Sequence, residues 1–251
     1  MKKIIKSSIL ISTIFASTSF ALPGIDLKAG FGYVKLSPSG WVKYKGDTVD
    51  LKKDLHLGDS KDINAYLQVG LPVIPNIKFE YLPTKYEGSG KVSKNFKFGD
   101  FTFTVTDKAH TKIDIKQYDL SLFYNLPVPF IKPRLGLAVK YLDGYIDIRT
   151  TTKHEHVNVN APIPMLYAGI NAGIPGIPFE IDVEGKAIAY KGNSLIDVKG
   201  IGMFTLVGIP FIGKAYLGAG YRYQKLKLDD VDDLYSDVKF KGPFAEVGVE
   251  F

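Results

Sequence analysis

The segment GPFAEVGVEF, residues 242–251, decides the fold that this sequence predicts. Its apolar side chains recur at every second position, at Ala245, Val247, Val249 and Phe251. The positions between them carry Glu246, Gly248 and Glu250. Side chains of a β-strand point alternately to opposite faces, so this period of two predicts a strand with one apolar face and one acidic face.

The same alternation recurs along the whole chain. It occurs in residues 27–33, 63–71, 77–81, 118–126, 134–141, 167–174, 179–190, 215–223 and 245–251. Residues 196–209 alternate less regularly and are counted as a further strand. The pattern therefore predicts an all-β chain of about ten strands, with eight to twelve as the range that it allows.

The connections between these strands alternate in character. Proline-rich turns stand at residues 72–76, 127–133, 175–178 and 210–214, where proline cannot donate to a sheet ladder. Polar connections stand between them at residues 37–61, 87–111, 150–160, 191–194 and 227–237. Short turns on one side and longer polar loops on the other are typical of outer-membrane barrels. We therefore expect a single up-and-down antiparallel transmembrane β-barrel with both termini on the short-turn side.

The first 21 residues, MKKIIKSSILISTIFASTSFA, have a basic start, a short apolar run and a small-residue end. This order predicts a secretory signal peptide at residues 1–21, followed by the barrel at residues 22–251. Its removal leaves 29 basic and 26 acidic residues, a net charge of +3, which argues against a nucleic-acid partner. The chain has no cysteine, which excludes disulfides and thiolate metal sites.

Two features favour a membrane barrel over a soluble sandwich. The polar face is rich in glycine and charge, and a sheet in lipid must close so that every backbone group is paired. Tyrosines also lie near the predicted strand ends, where an aromatic girdle meets lipid headgroups. These tyrosines are Tyr33, Tyr81, Tyr124, Tyr141 and Tyr223.

The polar face of the predicted strands carries many charged side chains, which we expect to point into the lumen. They are Lys78, Glu80, Asp119, Arg134, Lys140, Glu180, Asp182, Glu184, Lys186, Arg222 and Glu246, with Glu250 near the rim. Side chains can fill a barrel of this size, which favours a salt-bridged plug because unpaired buried charges are costly. A narrow path for ions or solutes is the alternative.

Outside the lumen, the sequence offers few residues that could bind a metal ion or catalyse a reaction. The four histidines are His56, His110, His154 and His156, and the sequence KHEH places His154 and His156 on one side of an extended segment. They are weak candidates for a transition metal. Asp229, Asp230, Asp232 and Asp233 in LKLDDVDDLYSD are weak candidates for a hard cation. No nucleophile stands at a recognisable spacing from a base, so we expect no enzyme and no cofactor.

Residues 87–111 contain NFKFGDFTFTVT, in which Phe96, Phe98, Phe101 and Phe103 are too apolar for a free loop. They predict either a hairpin that extends the strands above the membrane or a segment that folds into the barrel mouth. In the second case the lumen is gated or blocked.

Several motifs together resemble one family. VDLKKDLHLGD (49–59), LPVIPNIKFEY (71–81), FKFGDFTF (96–103), YDLSLFYNL (118–126), KYLDGYIDI (140–148), PMLYAGI (164–170) and the closing 33 residues from Ala219 occur in this order. They resemble an uncharacterised, numbered family of bacterial outer-membrane β-barrel proteins over nearly the whole mature chain. Gly70 and Leu71 depart from it, since an acidic residue and a histidine commonly precede the proline there. The resemblance implies location and architecture, and no activity.

The sequence thus predicts an integral outer-membrane barrel that is structural or a narrow solute or ion channel. A rim-located enzyme (omptin-like or lipid-modifying) and a surface-binding or adhesion barrel are the alternatives. We expect outer-membrane lipid and lipopolysaccharide as surroundings, and a monomer. The terminal strand, with Phe251, Val249 and Val247, resembles the signal read by the barrel-assembly machinery.

Overall fold

The computed structural model describes residues 25–129, 131–173, 175–209 and 213–251. The predicted signal peptide at residues 1–21 lies outside the described residues and stays a prediction. The described residues include no helix that is long and apolar enough to cross a membrane.

Ten long strands form one closed antiparallel sheet, which confirms the predicted barrel. Each strand pairs with its neighbours in the chain, and the last strand also pairs with the first. The barrel strands are β1 (Asp26–Tyr44), β3 (Ser60–Gly70), β4 (Asn76–Lys91), β7 (Lys108–Asn125), β8 (Ile131–Arg149), β9 (His154–Gly173), β10 (Phe179–Tyr190), β11 (Asn193–Ile209), β12 (Gly213–Val231) and β13 (Leu234–Glu250). Three short strands, β2 (Thr48–Asp50), β5 (Phe96–Phe98) and β6 (Phe101–Phe103), lie outside this ring.

The barrel closes along the full length of β1 and β13. The paired residues run from Lys28 opposite Glu250 to Tyr44 opposite Leu234. The backbone amide of Phe251 donates to the carbonyl of Leu27 at 2.8 Å, and the reverse bond measures 3.0 Å. The closing strand therefore leaves no unpaired edge, as a sheet in lipid requires.

The strands extend further on the long-loop side than the sequence predicts. The predicted connection at 150–160 shortens to 150–153, and the one at 227–237 shortens to Asp232 and Asp233. These two aspartates have φ angles of 52° and 64°, which suits a two-residue hairpin turn. The predicted loop bounds were wrong because a strand can keep its backbone ladder where its side chains become polar.

The irregular segment is a barrel strand like the others. β11 pairs with β10 and β12, and its register with β12 shifts between Thr205 and Val207. Before the bulge, the apolar residues Ile201 and Met203 occupy inward positions and are each 4% exposed, which obscures the polar/apolar alternation in the sequence.

Residues 45–59 and 92–107, here called the cap, fold over the mouth on the long-loop side. Lys97 and Asp47 join the two segments through hydrogen bonds of 2.8 Å between Asp47 N and Lys97 O and between Lys97 N and Asp47 Oδ2. The β5–β6 hairpin buries Phe96, Phe98 and Phe103 in one apolar cluster with inward-facing barrel residues. Of the two predicted arrangements, the phenylalanines therefore adopt the one that enters the mouth.

Candidate functional site

The outer surface of the barrel is apolar in the middle of the strands. On β8, Leu135 and Leu137 are 54% and 64% exposed, whereas Arg134 and Lys140 on the opposite face are 7% and 0% exposed. This is the reverse of a water-soluble protein, in which the apolar face is buried. An exposed apolar band around a polar interior is the arrangement that suits lipid.

Tyrosines form a continuous row at one border of this band. Tyr81, Tyr118 and Tyr141 are register partners on three adjacent strands, with ring centroids 5.1 Å and 6.5 Å apart. We call these three residues the aromatic row. Exposed lysines follow it towards the cap, at Lys35, Lys61, Lys116, Lys239 and Lys241.

The interior of the barrel is filled by twelve buried charged groups, here called the lumen network. Six are cations and six are anions, so their formal charges sum to zero. The members are Lys78, Glu80, Asp119, Arg134, Lys140, Asp182, Glu184, Lys186, Asp197, Lys199, Arg222 and Glu246. Such equality is what a low-dielectric interior demands, because an unpaired buried charge costs several kcal/mol.

Arg222 lies at the centre of the network. Its Nε and Nη2 donate to the two oxygens of Asp197 at 2.9 Å and 2.6 Å, and its Nη1 donates to Glu80. This forked contact holds the carboxylate in one orientation, which a lysine cannot do. Lys140 Nζ donates to Asp197 Oδ2, at 3.0 Å, and to Asp119 Oδ2, at 2.9 Å, and so joins the two carboxylates.

Further pairs extend the network towards the short turns. Lys78 donates to both oxygens of Glu184 at 2.7 Å and 2.6 Å, and the Tyr167 hydroxyl donates to the same carboxylate at 3.0 Å. Arg134 donates to both oxygens of Asp182 at 2.8 Å. The contact of Lys78 with Glu184 joins β4 to β10 across the barrel, whereas the other two contacts join strands on one side of it.

Most of the predicted lumen residues lie in this network. Glu180 and Glu250 lie at its border instead, with side chains 28% and 31% exposed, and both are ion-paired with Lys214. Sequence reasoning missed Asp197 and Lys199, because they belong to the irregular strand β11. Both residues precede the bulge, and the inward apolar residues Ile201 and Met203 hid the alternation that places Asp197 and Lys199 on the polar face.

A small cavity lies among the charges near the short turns. Its volume is about 20 Å³, which suits about one water molecule. Glu246 and Arg134 border it, and Glu246 Oε2 and Arg134 Nε have no hydrogen-bond partner among the described residues. Water is the partner that fits these two atoms.

The cap closes the other end with apolar side chains. Phe96 and Phe103 stack with ring centroids 5.2 Å apart, and Phe98 packs against Tyr44 at 5.6 Å. Lys153 Nζ lies 2.6 Å from Asp107 Oδ2 and ties the cap to the β8–β9 turn. The hydrogen bond from Lys153 lowers the pKa of the Asp107 carboxyl below its usual value.

Two of the four histidines meet an acid on the outer surface near the cap. His154 Nε2 lies 2.6 Å and His156 Nδ1 lies 3.3 Å from Oδ2 of Asp147, and we call these three residues the rim cluster. Asp147 and His156 are register partners on β8 and β9. Burial would raise the pKa of the Asp147 carboxyl, but hydrogen bonds from His154, Arg149 and His156 outweigh it and lower that pKa.

The other two histidines lie apart from this cluster. His110 Nδ1 lies 2.6 Å from Ser89 Oγ, on adjacent strands, and His56 Nε2 lies 2.7 Å from the Lys91 carbonyl oxygen. The sequence could not reveal the contact between Ser89 and His110, because it depends on the β4–β7 register. A catalytic serine also needs a group that orients the histidine, and no carboxylate is hydrogen-bonded to His110 in the described part of the chain.

The four candidate aspartates of the β12–β13 hairpin lie at its tip. Asp229, Asp230, Asp232 and Asp233 are exposed and do not converge with one another as a ligand set within the described ranges. The rim cluster is the arrangement in which three metal-ligating atoms lie within 4.8 Å of one another.

Neither a protein-family model nor a curated protein matches the chain. The resemblance to an uncharacterised barrel family therefore stays a prediction.

Solved structures with a similar arrangement of strands include Ail, the attachment invasion locus protein of Yersinia pestis, in complex with the heparin analogue sucrose octasulfate. It is 11% identical with a TM-score of 0.41, over 90% of this chain and 99% of that one. The translocator domain of autotransporter NalP from Neisseria meningitidis is 10% identical with a TM-score of 0.39, over 98% and 95%. Neisserial surface protein A is 13% identical with a TM-score of 0.30, over 90% and 96%. Similarities this low carry no inference about function.

Proposed function

We propose that this protein is an integral outer-membrane β-barrel with a closed lumen, which acts through its outer surface and its capped end. The observation that carries the proposal is the filled interior, where the apolar cap lies above a charge-neutral lumen network. The filled interior therefore favours a structural or surface-binding barrel over a channel.

The outer surface supports membrane insertion. On β7 the outward apolar positions run from Tyr118 to Tyr124 and continue to Leu126 beyond the strand end. A tilted strand of about nine to eleven residues crosses the hydrocarbon core. A polar solvent would penalise such a continuous exposed apolar band, whereas lipid stabilises it.

The side chains on the cap side of the aromatic row support a particular orientation of the barrel in the membrane. The exposed lysines that follow it on the cap side lie at headgroup level, where lipopolysaccharide carries phosphate groups. Opposite charges attract strongly at that depth, because the local dielectric constant is below that of bulk water. We therefore propose that the cap lies outside the cell, with lipopolysaccharide as the neighbouring lipid.

We assign no reaction to the barrel. The contact between Ser89 and His110 lacks a carboxylate on the histidine among the described residues, and the lumen network uses its titratable groups to neutralise one another. Insertion still depends on cellular assembly, for which the strand ending in Phe251 remains the proposed signal.

Planar-bilayer recordings test the closed lumen. We expect the wild-type barrel to give no conductance steps across the accessible voltage range. A variant with residues 94–105 replaced by a short Gly-Ser turn should also remain silent, because the lumen network below the cap is intact. Adding Glu80→Ala and Arg222→Ala to that variant should produce steps, since both seals are then weakened. Steady steps from the wild-type protein would overturn the proposal.

A further inference from the structure

The rim cluster lies on the outward face of the barrel, away from the lumen. Asp147 follows Tyr141 of the aromatic row by six positions on β8 and points to the same face. At about 3.3 Å per residue and a tilt of about 40°, it lies about 15 Å beyond that row, outside the hydrocarbon. The cluster is therefore accessible from the aqueous side.

The three side chains converge on one point. His154 and His156 are two residues apart on β9, so their rings share a face, and both nitrogens approach the same carboxylate oxygen of Asp147. The other oxygen of Asp147 accepts a hydrogen bond of 2.6 Å from Arg149 Nε. The carboxylate side chain is 3% exposed, whereas those of the histidines are 59% and 42% exposed. A buried, oriented acid thus lies beneath two accessible imidazoles.

The contacts of His156 orient its ring for a metal ion. Its Nε2 lies 3.1 Å from Oδ1 of Asn158, so the ring turns Nδ1 towards Asp147, 3.3 Å from Oδ2. Nδ1 is therefore the nitrogen that faces the point where a metal ion would lie. Stacking of Tyr145 on the ring, at 5.2 Å, holds Nδ1 in place.

We propose that Asp147, His154 and His156 bind a divalent transition-metal ion, with zinc as the best fit. Two imidazole nitrogens and one carboxylate oxygen match the ligand types of Zn²⁺, and a tetrahedral site keeps a fourth position open for water. Ligands about 2.0–2.1 Å from such an ion lie about 3.3 Å apart, so the closest pair must separate by less than 1 Å. Mg²⁺ and Ca²⁺ prefer oxygen ligands and fit this set poorly.

Arg149 has a positioning role in this site. Its guanidinium holds the second oxygen of Asp147, which fixes the direction of the first oxygen. We therefore expect Arg149→Gln to bind the metal more weakly than the wild type. Arg149→Lys can still donate to that oxygen and should retain more of the affinity.

Titration of the folded, tag-free mature barrel in detergent micelles tests the site. Calorimetry with Zn²⁺ should show one ion per chain, and Co²⁺ should give the visible absorption of a four-coordinate ion. His154→Ala and His156→Ala should each weaken binding at least tenfold. His110→Ala is the matched control, because this histidine lies on the same outer surface and contacts Ser89 instead, so binding should be unchanged.

The result is decisive in either direction. If the double variant His154→Ala/His156→Ala binds Zn²⁺ as tightly as the wild type, or if Mg²⁺ displaces Zn²⁺ at equal concentration, the proposal is wrong. Each variant is run on a denaturing gel without boiling, and its resistance to unfolding there verifies that it remains folded. The metal site does not depend on whether the lumen is closed. The conductance recordings and the metal titration therefore test the two proposals independently.

Discussion

At the scale of single residues, Arg222 shows how a charged side chain stabilises this barrel. It contacts two carboxylates from β4 and β11 and replaces the water that those groups lose on burial. A buried ion pair stabilises the barrel little more than apolar side chains in the same place would. The loss of one partner, however, leaves an uncompensated buried charge. The stability of the barrel therefore depends on the completeness of the lumen network more than on any single attraction within it.

Arg222→Met should destabilise the barrel by about 3–5 kcal/mol, because it leaves Glu80 and Asp197 buried with less compensation. Lys214→Met is the control, since the lysine side chain is 27% exposed and its loss should cost about 1 kcal/mol or less. Urea unfolding of the barrel in vesicles measures both. Equal effects of the two substitutions would show that the network is not the main source of stability. The double variant Asp197→Asn/Arg222→Met, which leaves five cations and five anions in the network, should recover part of the loss.

At the scale of elements, the β5–β6 hairpin differs from an ordinary surface loop. Its apolar side chains alternate as in a strand, and they have no lipid to face because the hairpin lies beyond the membrane. The mouth of the barrel is the nearest apolar surface, lined by Ile113, Ile146 and Ile148. The hairpin therefore folds inward, and burial of its phenylalanines holds it there.

Phe98→Ala should loosen the cap without opening the barrel. Truncation of a buried phenylalanine costs about 3–5 kcal/mol, which is enough to let a small hairpin open locally. Limited proteolysis with mass spectrometry should show faster cleavage within residues 92–107, while the barrel strands stay protected. Phe101→Ala is the matched control, because that ring is only partly buried and its loss should accelerate cleavage less. An unchanged cleavage rate for Phe98→Ala would contradict an inward-packed cap.

At the scale of the whole molecule, the barrel has a polar interior and an apolar outer surface. The lumen network replaces water on the inside, and in the proposed membrane location the apolar band meets lipid on the outside. The lumen network depends on the small diameter of the barrel, because opposite strands must be close enough for Lys78 to reach Glu184. Glycine on the polar face makes room for large side chains, as at Gly30 and Gly248, where a Cβ would collide with Tyr66 or Tyr216.

Trp41, the only tryptophan, allows the depth of the barrel to be measured. It is 36% exposed on β1 and lies eight positions beyond Tyr33, about 20 Å further from the bilayer centre along the tilted strand. Lipids brominated on their acyl chains should therefore quench its fluorescence weakly. The variant Trp41→Phe/Leu137→Trp should be quenched strongly, because Leu137 lies in the apolar band. Similar quenching of both proteins would contradict this position of the membrane along the strands.

The sequence by itself determined the strands, their number and the two faces. These follow from the period of two, which is a local property of an extended chain, and segments such as residues 134–141 carry it without help from the rest of the fold. It also placed ten of the twelve lumen charges on the polar face. Asp197 and Lys199 were missed because Ile201 and Met203 on the same face of β11 are apolar, which hides the alternation.

Only the tertiary structure decided which side chains meet. The pairing of Arg222 with Glu80, the inward fold of the cap and the contact of Asp147 with His154 depend on register, barrel diameter and the direction of the inserts. None of these is a local property, because each brings together residues from different strands. The sequence thus specified a barrel through hydrophobic periodicity, and closure of the sheet created the sealed interior and the rim cluster.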